Sequence, residues 1–302
     1  LYAEAHTSRG NSQLGLNLFG QALESHKKAI EINPNFAEAF CNQGLVLHEL
    51  GRFEESLRSY DQAIVQKPDY ADAYDNRGVL LFELKNFEEA LSSHRKAIEI
   101  RGDFSGAYLN IGNVLRHLGK FEEALNNYDK AISLDPSRAD AIVARGNGLK
   151  DMDRLEEALL SYEMAIDIKP DYADAYNNHG TTLKAMNRLE EALVSYTKAI
   201  TLKSDIPEAH FNIAITLQEL GRVTDALLSY DKAIAINKEY ADAYLNKSHA
   251  LLDCGRYLEG WELYEWRRNS AILKKPVLDL AQSCWNGEKS AKRLLVYGEQ
   301  GI

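Results

Sequence analysis

The chain has 302 residues, of which 35 are Lys or Arg and 45 are Asp or Glu, so its formal net charge is −10. This acidic balance argues against a general nucleic-acid binder, which needs a basic face to neutralise phosphates. Hydrophobic residues make up 45% of the chain, which indicates a folded protein. The sequence contains no uninterrupted apolar run of about 18 residues, so it predicts no membrane span.

The three cysteines, Cys41, Cys254 and Cys284, are far apart and form no CxxC pair. The sequence therefore predicts neither a disulfide framework nor a zinc site, and a reducing, cytoplasmic location fits best. The chain starts at Leu1 without a methionine and stops at Ile302 just after an apolar run. We therefore expect both ends to be cut from a longer protein, so that any targeting signal is not visible.

A motif recurs along the chain at a spacing of 34 residues. Ala-Asp-Ala-Tyr begins at Ala71, Ala173 and Ala241, and the related Ala-Glu-Ala-Phe begins at Ala37. Extending this period gives eight units without an insertion, which begin at residues 3, 37, 71, 105, 139, 173, 207 and 241. We therefore assign residues 1–274 to an array, and a fixed period of this length predicts a solenoid of stacked units.

The first half of each unit reads as an amphipathic helix. Unit positions 4 and 11 carry large residues, such as Tyr74 and Leu81, and these fall on the same helical face as position 8. Position 8 is small in every unit: Gly10, Gly44, Gly78, Gly112, Gly146, Gly180, Ala214 and Ser248. Because a helical glycine costs about 1 kcal/mol relative to alanine, we expect a neighbouring helix to approach closely there.

The second half of each unit predicts another helix with the same logic. Positions 20 and 27 are mostly small, as in Ala124 and Ala131, whereas position 24 is always Tyr or His. Proline at position 32, such as Pro136, ends the helix in four units. One helix pair cannot bury its apolar face alone, so we predict that sixteen helices stack without a sheet.

Over 272 of the 302 residues, these positions resemble the tetratricopeptide repeat (TPR). The resemblance implies an all-α fold, in which antiparallel helix pairs stack into a right-handed α-solenoid superhelix. It also implies that the first helices line the concave surface. The last unit departs from the pattern, with Gly260, Arg267 and Arg268 at positions 20, 27 and 28. We expect ordinary stacking to end in that unit.

By this resemblance, positions 2, 5, 6, 9, 12 and 13 face inward. Position 6 is asparagine in six units: Asn42, Asn76, Asn110, Asn178, Asn212 and Asn246. An amide can both donate to and accept from a peptide backbone. A similar ladder holds an extended peptide in the TPR arrays of O-GlcNAc transferases. Alternatively, the asparagines help neighbouring helices to pack, and the sequence leaves both interpretations open.

Charge and apolarity also vary along the inward positions. Positions 2 and 13 are mostly acidic, and a helix N-terminus explains the acids at position 2 but not those at position 13. Against this acidic background, position 12 carries a basic stripe formed by Arg116, Lys150 and Lys184. Position 5 offers apolar anchors for a partner: Leu109, Phe211 and Leu245. Positions 2, 5 and 6 hold no Lys or Arg, so we do not expect a carboxylate clamp of the kind found in chaperone-binding relatives.

No catalytic or metal-binding motif stands out, so we predict no catalysis by this chain, no cofactor and no metal. Residues 275–302 leave the repeat, and Leu294–Tyr297 reads as a buried strand. This tail predicts either a cap or the start of a truncated α/β domain. Together with Trp261 and Trp266, the tail segment Trp285-Asn286-Gly287 resembles the junction to a glycosyltransferase-like domain in bacterial TPR proteins.

Two hypotheses for the function follow. In the first, the chain is a protein-interaction scaffold that binds an extended or helical peptide segment in its concave groove. In the second, it is the substrate-recognition arm of a larger glycosyltransferase whose catalytic domain is absent from this chain. The groove would look the same in both. We expect a protein or peptide as the partner, neither nucleic acid nor membrane, and possible self-association through the open end of the array.

Overall fold

A computed structural model describes residues 2–268, which form sixteen α-helices and a final turn of 3₁₀-helix without any strand. In chain order the helices are α1 (Tyr2–Gly15), α2 (Phe19–Ile32), α3 (Ala37–Glu49), α4 (Phe53–Gln66), α5 (Ala71–Glu83), α6 (Phe87–Ile100), α7 (Ser105–His117), α8 (Phe121–Leu134), α9 (Ala139–Asp151), α10 (Leu155–Ile168), α11 (Ala173–Ala185), α12 (Leu189–Leu202), α13 (Pro207–Glu219), α14 (Val223–Ile236), α15 (Ala241–Asp253) and α16 (Tyr257–Tyr264). The predicted all-α solenoid of paired helices is confirmed. The cap or truncated domain predicted for residues 275–302 lies outside the described residues, as does Cys284.

The helix limits follow local sequence. Seven of the eight odd-numbered helices begin at the residue that opens a sequence unit, and α1 begins one residue earlier, at Tyr2. The even-numbered helices after α2 carry acids in the first turn, such as Glu122 and Glu123 in α8, where a negative charge is favourable. Helix α8 then ends at Leu134, two residues before Pro136, whose ring cannot continue a helix.

The order of contacts shows which helices lie on the inside of the curve. Each helix packs against the next one along the chain, and each odd-numbered helix also touches the next odd-numbered helix. Within residues 2–268, successive even-numbered helices do not touch one another. The odd-numbered helices therefore lie closer together and form the inner, concave side, as the resemblance implied.

The small residue at position 8 makes room for the ring at position 24 of the same unit. A Cβ atom added to Gly112 would lie 2.4 Å from Cε1 of Tyr128, and one added to Gly44 would lie 2.6 Å from Cε1 of Tyr60. Both tyrosine rings are completely buried. The expected close approach is thus confirmed, and it is made by an aromatic ring of the paired helix.

The turn between the two helices of each unit uses the left-handed backbone region. Position 15 has a positive φ in all eight described units: Asn17, Gly51, Lys85, Gly119, Asp153, Asn187, Gly221 and Gly255. Glycine adopts this conformation without a steric penalty, whereas Lys85 and Asp153 pay for their Cβ atoms. The fold therefore imposes the turn even where the local residue does not favour it.

The first unit buries an imidazole without a partner. His26, at position 24, is completely buried, and neither of its ring nitrogens forms a hydrogen bond in the described part of the chain. Thr7, at position 5 of the same unit, also has a buried hydroxyl without a partner. Burial lowers the pKa of His26 to about 4, because a charged ring would lose its hydration. His26 is therefore neutral near pH 7.

We expect His26→Tyr to stabilise the protein by about 1–2 kcal/mol at neutral pH, because it removes buried, unbonded nitrogens. Tyrosine occupies this position in six units, and in four of them it packs on the glycine at position 8 of its own unit. The gain should widen on acidification. The unfolded chain protonates histidine near pH 6.5 and the folded chain only near pH 4, so wild-type stability falls across that window. Urea unfolding at several pH values measures this effect.

A matched control is His249→Tyr, since His249 is exposed on α15. This variant should follow the pH dependence of the wild type. Parallel stability curves for wild type and His26→Tyr between neutral and acidic pH would show that His26 carries no such penalty.

Candidate functional site

All six asparagines of the predicted ladder are half-buried on the inner helices. Three of them donate an Nδ2 hydrogen bond to the position 5 side chain of the preceding unit. Asn110 donates to both carboxylate oxygens of Asp75, at 3.2 and 3.3 Å. Asn212 donates to Oδ1 of Asn177 at 3.3 Å, and Asn76 reaches Sγ of Cys41 at 3.5 Å. The Nδ2 group of each of these three amides thus forms a hydrogen bond between neighbouring units.

The other three asparagines differ in their partners. Asn178 donates to Oδ1 of Asn147 in the preceding unit at 3.1 Å, and Asn246 donates to the Asp242 carbonyl of its own helix at 2.8 Å. The Asn42 side chain forms no hydrogen bond among residues 2–268. In that same range, the Oδ1 atoms of all six accept no hydrogen bond. The ladder therefore keeps a row of acceptors on the inner face.

Position 9 adds two asparagines with the opposite pattern. The Tyr128 hydroxyl donates to Oδ1 of Asn113 at 3.0 Å, and the Tyr162 hydroxyl donates to Oδ1 of Asn147 at 2.8 Å. Burial raises the pKa of Tyr128 to about 12, so its hydroxyl stays a donor. The Nδ2 groups of Asn113 and Asn147 make no hydrogen bond in the described region, so they remain available as donors. The sequence interpretation missed both residues. The pattern that could have indicated them is an asparagine at position 9 in a unit that has tyrosine at position 24.

Three of the five acids at position 13 pair with position 12 of the preceding unit. Nε of Arg116 lies 2.7 Å from Oδ2 of Asp151, and Nζ of Lys184 lies 2.8 Å from Oε1 of Glu219. His48 and Glu83 make the same contact at 2.7 Å. These bonds explain three of the acids that a helix dipole could not explain. They also neutralise Arg116 and Lys184 of the basic stripe.

Lys150 lies between those two pairs and has no acid opposite it. Ala185 occupies position 13 of the next unit, where the other pairs have Asp151 or Glu219. Lys150 is half-buried, and its ammonium group forms no ion pair or hydrogen bond within residues 2–268. Burial lowers its pKa from the ordinary lysine value, a shift to which Arg116 adds and which Asp151 opposes. The stripe therefore contains a single uncompensated cation at its centre.

These polar groups lie on three successive inner helices, α7, α9 and α11. We call them the central groove: Asn110, Asn113, Arg116, Asn147, Lys150, Asn178 and Lys184. A depression of about 510 Å³ adjoins the central groove, lined by Phe82, Asn113, Arg116, His117, Phe121 and Asp151. The His117 ring lies across the Phe82 ring with centroids 5.8 Å apart, so this end of the groove has an aromatic wall.

The proposed apolar anchors need correction. Leu109 and Leu245 are only 7% and 1% exposed, so they lie in the core and not on the surface of the groove. A partner therefore has almost no surface of either side chain to contact. Phe211 is half-buried and packs against Tyr240, with ring centroids 5.0 Å apart. It alone of the three has surface left for a partner.

Residues 2–268 contain no cluster of three or more His, Cys, Asp or Glu side chains that could hold a metal ion. In the same range, no helix is both long and apolar enough to cross a membrane.

Protein-family models match most of the repeat units. A model described as TPR repeat matches residues 10–51, 44–85, 146–187 and 180–221. Models described as tetratricopeptide repeat match residues 105–138, 71–102 and 207–240. The chain belongs to the tetratricopeptide repeat family. The TPR matches overlap seven of the eight sequence units, and these include the three that carry the central groove.

Several solved structures are similar to this TPR chain. The chain is 28% identical to YrrB, described as a TPR protein with an unusual peptide-binding site, with 62% of this chain and 96% of YrrB covered and a TM-score of 0.49. For MamA the identity is 22%, the coverage 55% and 96%, and the TM-score 0.49. The Cut9-Hcn1 structure of the APC/C is 14% identical over 81% of this chain and 52% of that chain, with a TM-score of 0.67. This last likeness supports the TPR fold.

No curated protein sequence matches the chain. The comparisons give no support to the resemblance between the tail and a glycosyltransferase junction. That part of the prediction rested mainly on residues 275–302, which are outside the described residues.

Proposed function

We propose that this TPR chain is a protein-interaction scaffold that holds an extended segment of a partner protein in the central groove. The observation that carries this proposal is that each of four groove amides uses only one of its two polar groups in hydrogen bonds within the described residues. The Oδ1 atoms of Asn110 and Asn178 are open acceptors, and the Nδ2 groups of Asn113 and Asn147 are open donors. Together they offer one row of acceptors beside one row of donors on the concave face.

This arrangement favours an extended segment over a helical one. An extended chain has free backbone N–H and C=O groups that can pair with side-chain amides, whereas a helix uses most of them internally. Amide contacts to the backbone supply affinity without fixing the partner's side chains. The aromatic depression beside Arg116 could then accept one apolar side chain of the segment and add selectivity.

The groove is also held in place before a partner arrives. The open amide groups of Asn113 and Asn147 are fixed by hydrogen bonds from buried tyrosines, and Asn110 is fixed by Asp75. Ordering a side chain on binding costs about 0.5–1.5 kcal/mol, so side chains that are already ordered reduce this cost. The inter-unit hydrogen bonds thus serve binding as well as stacking.

Selection of random linear peptides displayed on phage against the chain tests the proposal. The selected peptides should bind wild type and lose about 1–3 kcal/mol of affinity on Asn113→Thr with Asn147→Thr, which removes two donors from the groove. Threonine is a conservative choice, because Thr181 at the same position accepts a tyrosine hydroxyl and donates its own hydrogen to the Asn177 carbonyl. Fluorescence polarisation gives the affinities.

Asn126→Thr is the matched control, because Asn126 is exposed on the outer helix α8 and should leave binding unchanged. Equal melting temperatures for the double variant and wild type would show that the loss is one of recognition. Failure to enrich any peptide, or equal affinity of the selected peptides for wild type and the double variant, would contradict the proposal.

No observation on the described residues favours the alternative of a glycosyltransferase recognition arm, and catalysis is no part of the proposal. Self-association and a cytoplasmic location stay predictions.

A further inference from the structure

The contact between position 12 of one unit and position 13 of the next recurs along the inner face. His48 meets Glu83, Arg116 meets Asp151 and Lys184 meets Glu219, each within 2.8 Å. Between α5 and α7 the same two positions hold Phe82 and His117, whose rings meet at 5.8 Å. The array thus fills this contact with complementary groups in four places.

Of the three remaining contacts, the one between α9 and α11 places a cation, Lys150, opposite an alanine, Ala185. Alanine is too short to reach the ammonium group and carries no charge. Ala185 is exposed, so the space beside Lys150 opens to the groove rather than to the core. A half-buried ammonium has lost part of its hydration and gains more from a charged hydrogen bond than an exposed one does.

We propose that Lys150 binds a carboxylate of the partner segment, in the place that an acid at position 13 takes in the neighbouring units. The inference rests on the proposed function and adds the chemistry of the partner, an acidic peptide. An internal Asp or Glu is favoured over a C-terminal carboxylate, because the inner face continues past Lys150 in both directions, onto α7 and α11. The open amides of Asn147 and Asn178 are hydrogen-bonded to each other, and Asn147 lies three residues before Lys150 on α9, so both can hold the backbone beside the bound acid.

The test uses the peptides selected on wild type and two changes at the empty position. Ala185→Glu supplies the missing acid from within the chain, as Glu219 does for Lys184, and should occupy Lys150. Ala185→Gln has nearly the same size and no charge. Because Ala185 is exposed, both variants should fold, and circular dichroism melting curves verify that they do. Lys150→Met removes the cation while keeping much of its apolar stem.

We expect Asp or Glu to be enriched at one peptide position in the wild-type selection. Changing that residue to Asn or Gln should weaken binding by about tenfold or more to wild type and to Ala185→Gln. The same change should have little effect with Ala185→Glu or Lys150→Met. C-terminally amidated peptides should bind as well as the free acids, which separates a side-chain carboxylate from a terminal one.

Selected peptides without an acidic preference would overturn the inference while leaving the proposed function intact. A preference for the acid that survives in both Ala185→Glu and Lys150→Met would overturn it in the same way. If amidation alone abolishes binding, the bound carboxylate is the peptide C-terminus, and the proposal of an internal Asp or Glu is wrong. If no peptide is enriched on wild type, the proposed function fails and the inference fails with it.

Discussion

Replacement of Gly112 by leucine is expected to lower the free energy of unfolding by about 1–3 kcal/mol through overpacking. Even the first added carbon would lie 2.4 Å from the Tyr128 ring, far inside van der Waals contact. The ring cannot turn aside easily, because it is completely buried and its hydroxyl is bonded to Asn113. Helices α7 and α8 would therefore have to separate.

The effect should grow with the size of the new side chain. Gly112→Ala should cost less than leucine, since unit 7 already accepts Ala214 at the same position and alanine has the better helix propensity. Gly20 provides the control, because a Cβ atom there would meet nothing within 4 Å. Gly20→Ala should leave stability unchanged or slightly raised.

Urea unfolding measures the size of these effects, and amide hydrogen exchange locates them. Exchange should accelerate first in α7, α8 and the helices packed on them, because neighbouring units supply most of each other's stability. An unchanged unfolding midpoint for Gly112→Leu would contradict this prediction, because it would show that a leucine side chain fits between α7 and α8.

Much of the fold could be predicted because it repeats. A single period of 34 residues sets the register of every unit, so the small residue at position 8 and the ring at position 24 are both recognisable without a structure. Where one unit departs from the pattern, the other seven still define its register. The period also revealed the polar row at position 6, and the resemblance to the TPR located the inner helices.

The partners across unit boundaries could not be predicted in this way. The period shows that Asp151 and Glu219 share a position, but not that this position faces position 12 of the preceding unit. Position 5 was assigned to the groove as a whole, whereas the structure turns Leu109 and Leu245 into the core. A side chain at the edge between groove and core is placed by local packing, which the repeat pattern does not specify.

The unit formed by α5 and α6 contains a polar network at this edge. Nδ1 of His94 lies 2.7 Å from Oδ1 of Asp75, and Asn110 of the next unit donates to the same carboxylate. Both His94 and Asp75 are buried. In the following unit the equivalent residues are Leu109 and Tyr128, and Ala144 replaces the asparagine of the next unit. At this boundary the asparagine is absent and position 5 offers no acceptor, whereas Asn178 and Asn246 also follow apolar residues at position 5 and donate elsewhere.

Asp75→Leu should therefore destabilise the protein by about 1–3 kcal/mol, because it leaves the buried His94 ring without its partner. Leucine itself fits position 5, as Leu109 shows, so the loss should come from the broken hydrogen bonds. Adding Val79→Asn and His94→Tyr copies the set Leu109, Asn113 and Tyr128 and gives the new hydroxyl an acceptor. The triple variant should recover most of the lost stability, measured by urea unfolding and by exchange in α5 to α7. If it stays as unstable as Asp75→Leu alone, the cost lies in packing around position 5 and not in the orphaned imidazole.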